Sequence, residues 1–166
     1  MKSEVIIATI DDYDVINNLA RFYIYDMSRY CGTHSKTWSI PNNGLYETYN
    51  FKKFFIEKNR KAFLVKVDDE LAGFIFIHEE NNIYYISEFF ILARFPGRGI
   101  GIEVSENILR KFPGKWKISV IPENKSGLSF WRKAVSKITE GEYIEELIDV
   151  SYDDYQPKRY FLSFEI

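Results

Sequence analysis

The chain has 166 residues, 46% hydrophobic and 17% aromatic, with 22 basic and 24 acidic side chains and a formal net charge of -2. That content suits one domain over residues 1–166 with a substantial core, and the charges are mixed along the chain, without the basic stripe of a nucleic-acid binder. Cys31 is the single cysteine, which excludes an intrachain disulfide. His34 and His78 have no zinc-ligand spacing, and no run approaches the roughly 18 apolar residues of a membrane span.

Residues 1–9 are too short and too polar for a signal peptide, so the expectation is a cytoplasmic protein with no metal, no membrane and no nucleic-acid partner. Val5 to Thr9 is a β-prone run. Asp11 and Asp12 then cap a helix with Val15, Leu19, Phe22 and Tyr23 at helical spacing. From Arg29 to Asn50 the periodicity fades and Gly, Pro and Asn clusters predict an ordered loop, closed by a short helix around Phe51 to Lys58. Ala62 to Val67 and Leu71 to His78 flank a tight polar turn and predict a hairpin, and Ile83 to Leu92 adds a third antiparallel strand.

Past this strand the pattern changes. Gly97-Arg98-Gly99-Ile100-Gly101 opens a helix with Ile100, Val104 and Ile108 on one face, stopped by Pro113-Gly114. Trp116 to Ile121 is a strand, and Asn124 caps a helix presenting Leu128, Trp131 and Val135. Tyr143 to Val150 and Lys158 to Ile166 are two final strands around the turn-rich residues 151–157. The order predicts an α+β fold with a twisted, mostly antiparallel sheet of six or seven strands flanked by about four helices.

A glycine-rich turn between a strand and a helix lets backbone N–H groups approach an anion at the helix N-terminus, which suits phosphate or pyrophosphate. No Gly-Lys-Ser/Thr follows, which excludes a P-loop, and the glycine spacing and mid-chain position fit a dinucleotide fold poorly.

Residues 86–101, ISEFFILARFPGRGIG, resemble the signature of GCN5-related N-acetyltransferases, whose loop reads Gln/Arg-x-x-Gly-x-Gly/Ala and matches Gly99 and Gly101. Pro122 to Ala134, PENKSGLSFWRKA, is similar to that family's next signature, an Asn at the start of a helix. The element order agrees along the whole chain, and the motifs cover about 50 residues. The resemblance implies acetyl-CoA as co-substrate. Ile91 and Leu92 would lend backbone groups to the pantetheine amides, Arg98, Gly99, Ile100, Gly101 and Ile102 would wrap the pyrophosphate, and Asn124 and Trp131 would border the arm. It also implies an oxyanion held by the backbone N–H near Ile91. Two positions depart: Pro96 stands where the family has Gln or Arg, and Trp131 where many members have a tyrosine serving as general acid. An indole N–H has no useful acidity.

Acyl transfer to an amine needs a proton acceptor. Glu88 is the one acid within the apolar strand before the loop, where desolvation raises a carboxyl pKa, and is the candidate catalytic base. Tyr84 and Tyr85 on the same strand are alternatives for orienting water and equally fit core rings, and His78, at the end of the previous strand, is read as a surface residue. The acceptor side falls to the segment between Phe22 and Phe55, whose rings with Asp26 and Glu47 suit an amine of a small molecule or peptide. A homodimer, a non-catalytic acyl-CoA-binding module and, less favoured, a dinucleotide oxidoreductase stay open at this stage.

Overall fold

Asp68 and Asp69 have φ of 48° and 66°, and Asn81 and Asn82 have 53° and 60°. Two consecutive left-handed residues make the two-residue hairpin turn whose twist matches that of paired strands. These turns join β2 (Arg60–Val67), β3 (Glu70–Glu80) and β4 (Ile83–Ile91) into an antiparallel meander. The computed structural model describes residues 2–32, 35–95 and 99–166.

Around the meander the chain adds β1 (Ser3–Ile7), α1 (Tyr13–Cys31), α2 (Lys53–Ile56), α3 (Ile100–Lys111), β5 (Lys115–Val120), α4 (Lys125–Thr139), β6 (Ile144–Asp149) and β7 (Lys158–Glu165). The seven strands lie in the order β1-β2-β3-β4-β5-β7-β6. Only β4 and β5 run parallel. The mixed architecture and mostly antiparallel sheet are those expected from the pattern.

Strand alternation divides the core between two faces of the sheet. Phe63, Val65, Ile75 and Ile77 join Ile100, Val104 and Ile108 of α3 and Leu128, Trp131 and Val135 of α4. Ala62, Leu64, Phe74 and Phe76 face the other way, against Ile16 and Leu19 of α1 and Phe51 and Phe54. One part of the α1 expectation fails: Phe22 is 57% exposed, and Ile16, Leu19 and Ala20 form the buried stripe. The helix starts at Tyr13, after a 3-10 turn in which the Asp12 carboxylate accepts the Thr9 N–H at 2.9 Å. The buried phase follows from that start.

The alternation is broken once in β4. Ile86 pairs with Ile77 and Glu88 with Phe76, so Ser87 is an extra residue, a β-bulge. Tyr84 and Ile86 pack on the α3/α4 face before it, and Phe89 and Ile91 after it. Glu88 is thereby turned, with Phe90, toward the α1/α2 face.

Candidate active site

The parallel pairing of β4 with β5 runs only from Ile83↔Lys115 to Ile86↔Ile118. Beyond it β4 continues beside β3 as far as Ile91↔Gly73, while β5 follows β7 to Val120↔Tyr160. The two strands diverge and open a cleft in the sheet. The Leu92 N–H donates to the Ala72 carbonyl at 2.7 Å. Since successive backbone groups of a strand point to opposite neighbours, those of Ile91 point into the cleft. Of the two residues expected to lend backbone groups, Leu92 has its N–H committed to β3, and strand alternation turns the Ile91 N–H the other way.

Two cavities meet in this gap. One, of about 530 Å³, runs between the β4 end and the start of α4 and is lined by Ile91, Leu92, Phe95, Gly101, Asn124 and Trp131, with Tyr30 of α1. The other, of about 490 Å³, contains Ser87, Glu88, Tyr23, Trp38 and Tyr152 in its wall. Tyr23, Met27, Phe89, Asn124 and Trp131 belong to both, so a chain threaded through the first reaches the second.

At the mouth of the first cavity stands the N-terminus of α3. Gly99 caps it with φ of 72°, a conformation that any other L-residue adopts only with strain, and a Cβ there would meet no heavy atom within 4 Å. That open space lies beside first-turn amides that a helix leaves unpaired, a setting that suits an anion, and the N–H groups of Ile100, Gly101 and Ile102 belong to that turn. Arg98 lies outside the described residues. Gly101 serves a second purpose: a Cβ on it would approach the Phe130 ring to 2.9 Å, so its bareness lets α4 pack closely.

Asn124 caps α4, its side-chain oxygen accepting the Gly127 N–H at 2.8 Å. Trp131 is 7% exposed and packs edge-on against Phe89 and Phe130, with ring centroids 5.0 and 4.9 Å away. It is therefore both core and cavity wall, and it brings no acid.

In the second cavity Glu88 accepts a hydrogen bond from the Tyr49 hydroxyl at 2.8 Å. Burial pushes its pKa above the usual carboxylate value, against the hydrogen bonding of Tyr23 and Tyr49, which holds the carboxylate form. Burial and the Glu88 charge push both tyrosine hydroxyls up, so they remain protonated donors. Tyr84, by contrast, packs between Trp116 and Phe112 in the core.

Sequence reasoning passed over the far wall. Arg159 donates to Asp153 at 2.6 Å, and Asp153 also accepts the backbone N–H groups of Tyr155 and Gln156 at 3.1 and 2.9 Å. Buried Gln156 accepts from the Cys31 thiol at 3.2 Å, tying this loop to the end of α1. The clustering of Asp153, Gln156 and Arg159 in a turn-rich segment was the available signal. Asp153 and Arg159 are spent on each other and the Gln156 side chain on Cys31 and the Tyr30 carbonyl, so the three shape the cavity wall. Among the described residues no helix is long and apolar enough to cross a membrane, and no group of His, Cys, Asp or Glu is placed to hold a metal.

Residues 24–135 match the Acetyltransferase (GNAT) family. No curated protein sequence matches the chain. Among solved structures the chain is similar to an acetyltransferase from Thermus thermophilus, with a TM-score of 0.66 and 14% identity over 100% of this chain and 98% of that one. It is also similar to the ribosomal-protein-S18-alanine N-acetyltransferase from Escherichia coli, at 0.65 and 9% over 99% and 94%. A Bacillus anthracis acetyltransferase in complex with acetyl coenzyme A superposes at 0.63, with 10% identity over 100% and 99%.

Proposed function

The chain belongs to the GNAT acetyltransferase family, and from that premise we propose that it transfers an acetyl group from acetyl-CoA to a primary amine of a small molecule or peptide, by direct attack while both substrates are bound. The observation that carries this reading is Glu88, a carboxylate with a raised pKa in the wall of a cavity that adjoins the β4/β5 cleft.

The cradle at α3 and the opened strand edge fit the donor. Gly99, Ile100, Gly101 and Ile102 would receive its pyrophosphate, Ile91 its amide groups, and Asn124 and Trp131 would border the arm. When bound, acetyl-CoA supplies an activated thioester. The Ile91 N–H would polarise the thioester carbonyl, and Glu88 takes the proton from the attacking amine. A thiol with a cysteine-like pKa of about 8.5 departs as thiolate without an obligatory acid, so Trp131 in place of a tyrosine is compatible with turnover.

The acceptor enters the Glu88 cavity, whose wall includes the rings of Tyr23, Trp38 and Tyr152, which suit a cation, together with the Glu88 carboxyl. A non-catalytic acyl-CoA-binding module is the second reading, favoured by the absence of an acid at Trp131.

Thermal melts with acetyl-CoA, NAD and ATP, followed by CoA release with tyramine, spermidine, L-lysine and an alanine-initiated peptide, test this. Acetyl-CoA should raise Tm well above the other two, since binding to the native state stabilises it by mass action. At least one amine should stimulate CoA release. Equal shifts with all three nucleotides would remove the donor assignment, and a shift with no amine-dependent release would favour the binding module.

A further inference from the structure

The bulge in β4 does more than turn Glu88. It brings a second polar side chain, Ser87, to the same face, where its hydroxyl lies 2.7 Å from Nδ1 of His78. Ser87 belongs to the wall of the Glu88 cavity and His78 does not, so their hydrogen bond links the cavity wall to a side chain beyond it. The half-buried ring is held flat on Tyr85, with centroids 4.7 Å apart and planes inclined by 8°. The charged groups around it are Glu80 on its own strand, Arg60 from β2 and Lys53 from α2. Burial, then Arg60 and Lys53, hold the imidazole pKa below its usual value against the opposing pull of Glu80. The lowered pKa favours the neutral ring.

A primary amine has a pKa of about 10 and enters as ammonium. On the way to an amide it loses two protons, one before attack and one as the C–N bond forms, whereas one carboxylate holds one proton at a time. Building on the acetyl-transfer reading, we propose that Ser87 and His78 accept the first of these protons and pass it out of the cavity. The ammonium gives a proton to Ser87 Oγ as the hydroxyl proton moves to His78 Nδ1, and the imidazolium then releases its Nε2 proton to water. The free amine attacks the thioester carbon, the C–N bond forms, the C–S bond breaks with its electron pair going to sulfur, and the remaining proton passes to Glu88.

The test is CoA release with the amine of the panel that the wild-type protein accepts best, for wild type, Ser87→Ala, His78→Gln and the double variant. Glutamine keeps a polar partner for Ser87 but takes up no proton. Each single variant should lose about ten- to a hundredfold in kcat at pH 7, with unchanged KM for acetyl-CoA, and the double variant should lose no more than either. The defect should vanish as pH rises past about 10, where the amine is already free, a recovery that a purely structural role would not show. Nitrogen NMR gives a second readout without substrate: with only His34 and His78 in the chain, His34→Gln assigns the spectrum, and His78 should show an unprotonated Nδ1 that shifts in Ser87→Ala. A protonated Nδ1 at neutral pH, or full kcat in His78→Gln at pH 7, overturns the relay. A wild type inactive with every amine overturns the acetyl-transfer reading and the relay with it.

Discussion

The α3/α4 face of the sheet is packed mainly with branched aliphatic side chains from regular strands and long helices, whereas the α1/α2 face centres on Phe51, Phe54, Phe74, Phe76 and Phe90. The first face meets the proposed donor cleft, built from backbone groups, two glycines and a helix cap. The second carries Glu88 and, in the proposed reading, the acceptor cavity, whose wall joins α1, β4 and irregular chain to β5 and the start of α4. Between α1 and α2 the chain is tied down by local polar contacts, with Arg21 donating to the Tyr46 carbonyl and Thr48 to the Asn17 side chain. A donor shared by a family suits a site made of backbone. An acceptor particular to one protein suits a site made of side chains, which change without unsettling the sheet.

If the two faces are separable in this way, Phe51→Ala gives the largest effect. Phe51 is fully buried and its ring packs on Tyr13 and Phe76 at 4.8 and 5.2 Å, so truncation should cost about 3–5 kcal/mol of stability, read by denaturant unfolding. At a temperature where the variant remains folded, acetyl-CoA affinity should stay near that of wild type while the KM of the amine rises. Loss of donor affinity in step with the amine would break the comparison.

Glu88→Gln should lower kcat by about 10- to 1000-fold with little change in acetyl-CoA affinity. In wild type the rate should fall on the acid side as Glu88 is protonated, at a pH above that of an ordinary glutamate because burial raises its pKa. The stability consequence has the opposite sense. A carboxyl whose folded pKa is raised stabilises the fold at low pH and loses that contribution as pH rises through the raised value, so Glu88→Gln should melt higher than wild type at neutral pH. A full rate with an unchanged acid limb would make Glu88 a structural residue.

Gly101→Val sharpens the comparison from the donor side, with the smallest effect of the three. The new side chain must displace Phe130, which packs against Phe89 and Trp131, and overpacking of this kind costs about 1–3 kcal/mol. The Tm shift produced by acetyl-CoA should shrink while the amine KM is preserved. An undiminished shift would show that the α3/α4 junction does not shape the donor cleft.

The same division explains what the sequence disclosed. Hairpins written as Asp68-Asp69 and Asn81-Asn82, the Asn124 cap, and the helical faces of α3 and α4 are local signals, and they emerge with boundaries shifted by a residue or two. Glu88 stood out as an acid in an apolar strand, yet its face depends on the bulge at Ser87. Two adjacent polar residues in the middle of β4 were the trace of that bulge, and strict alternation does not reveal which of them is the extra one. His78 read as a surface residue because its partner, Ser87, belongs to the next strand and no local pattern pairs the two. Phe22 was assigned to the wrong face because helical spacing fixes a stripe only once the first residue of the helix is known. The wall made by Asp153, Gln156 and Arg159 depends on a loop meeting α1 across more than a hundred residues, which no short pattern encodes.

The short parallel ladder between β4 and β5 also has a mechanical meaning. It divides the sheet into a four-strand panel, β1 to β4, and a three-strand panel, β5 to β7, stitched along a seam that ends at Ile86 and Ile118. Beyond the last stitch, an extended chain with its own amide groups, laid against Ile91, would occupy the place of a missing strand and carry load from one panel to the other. Under force this short seam is where the sheet should tear first, and a ligand laid along it should make the two panels give way as one.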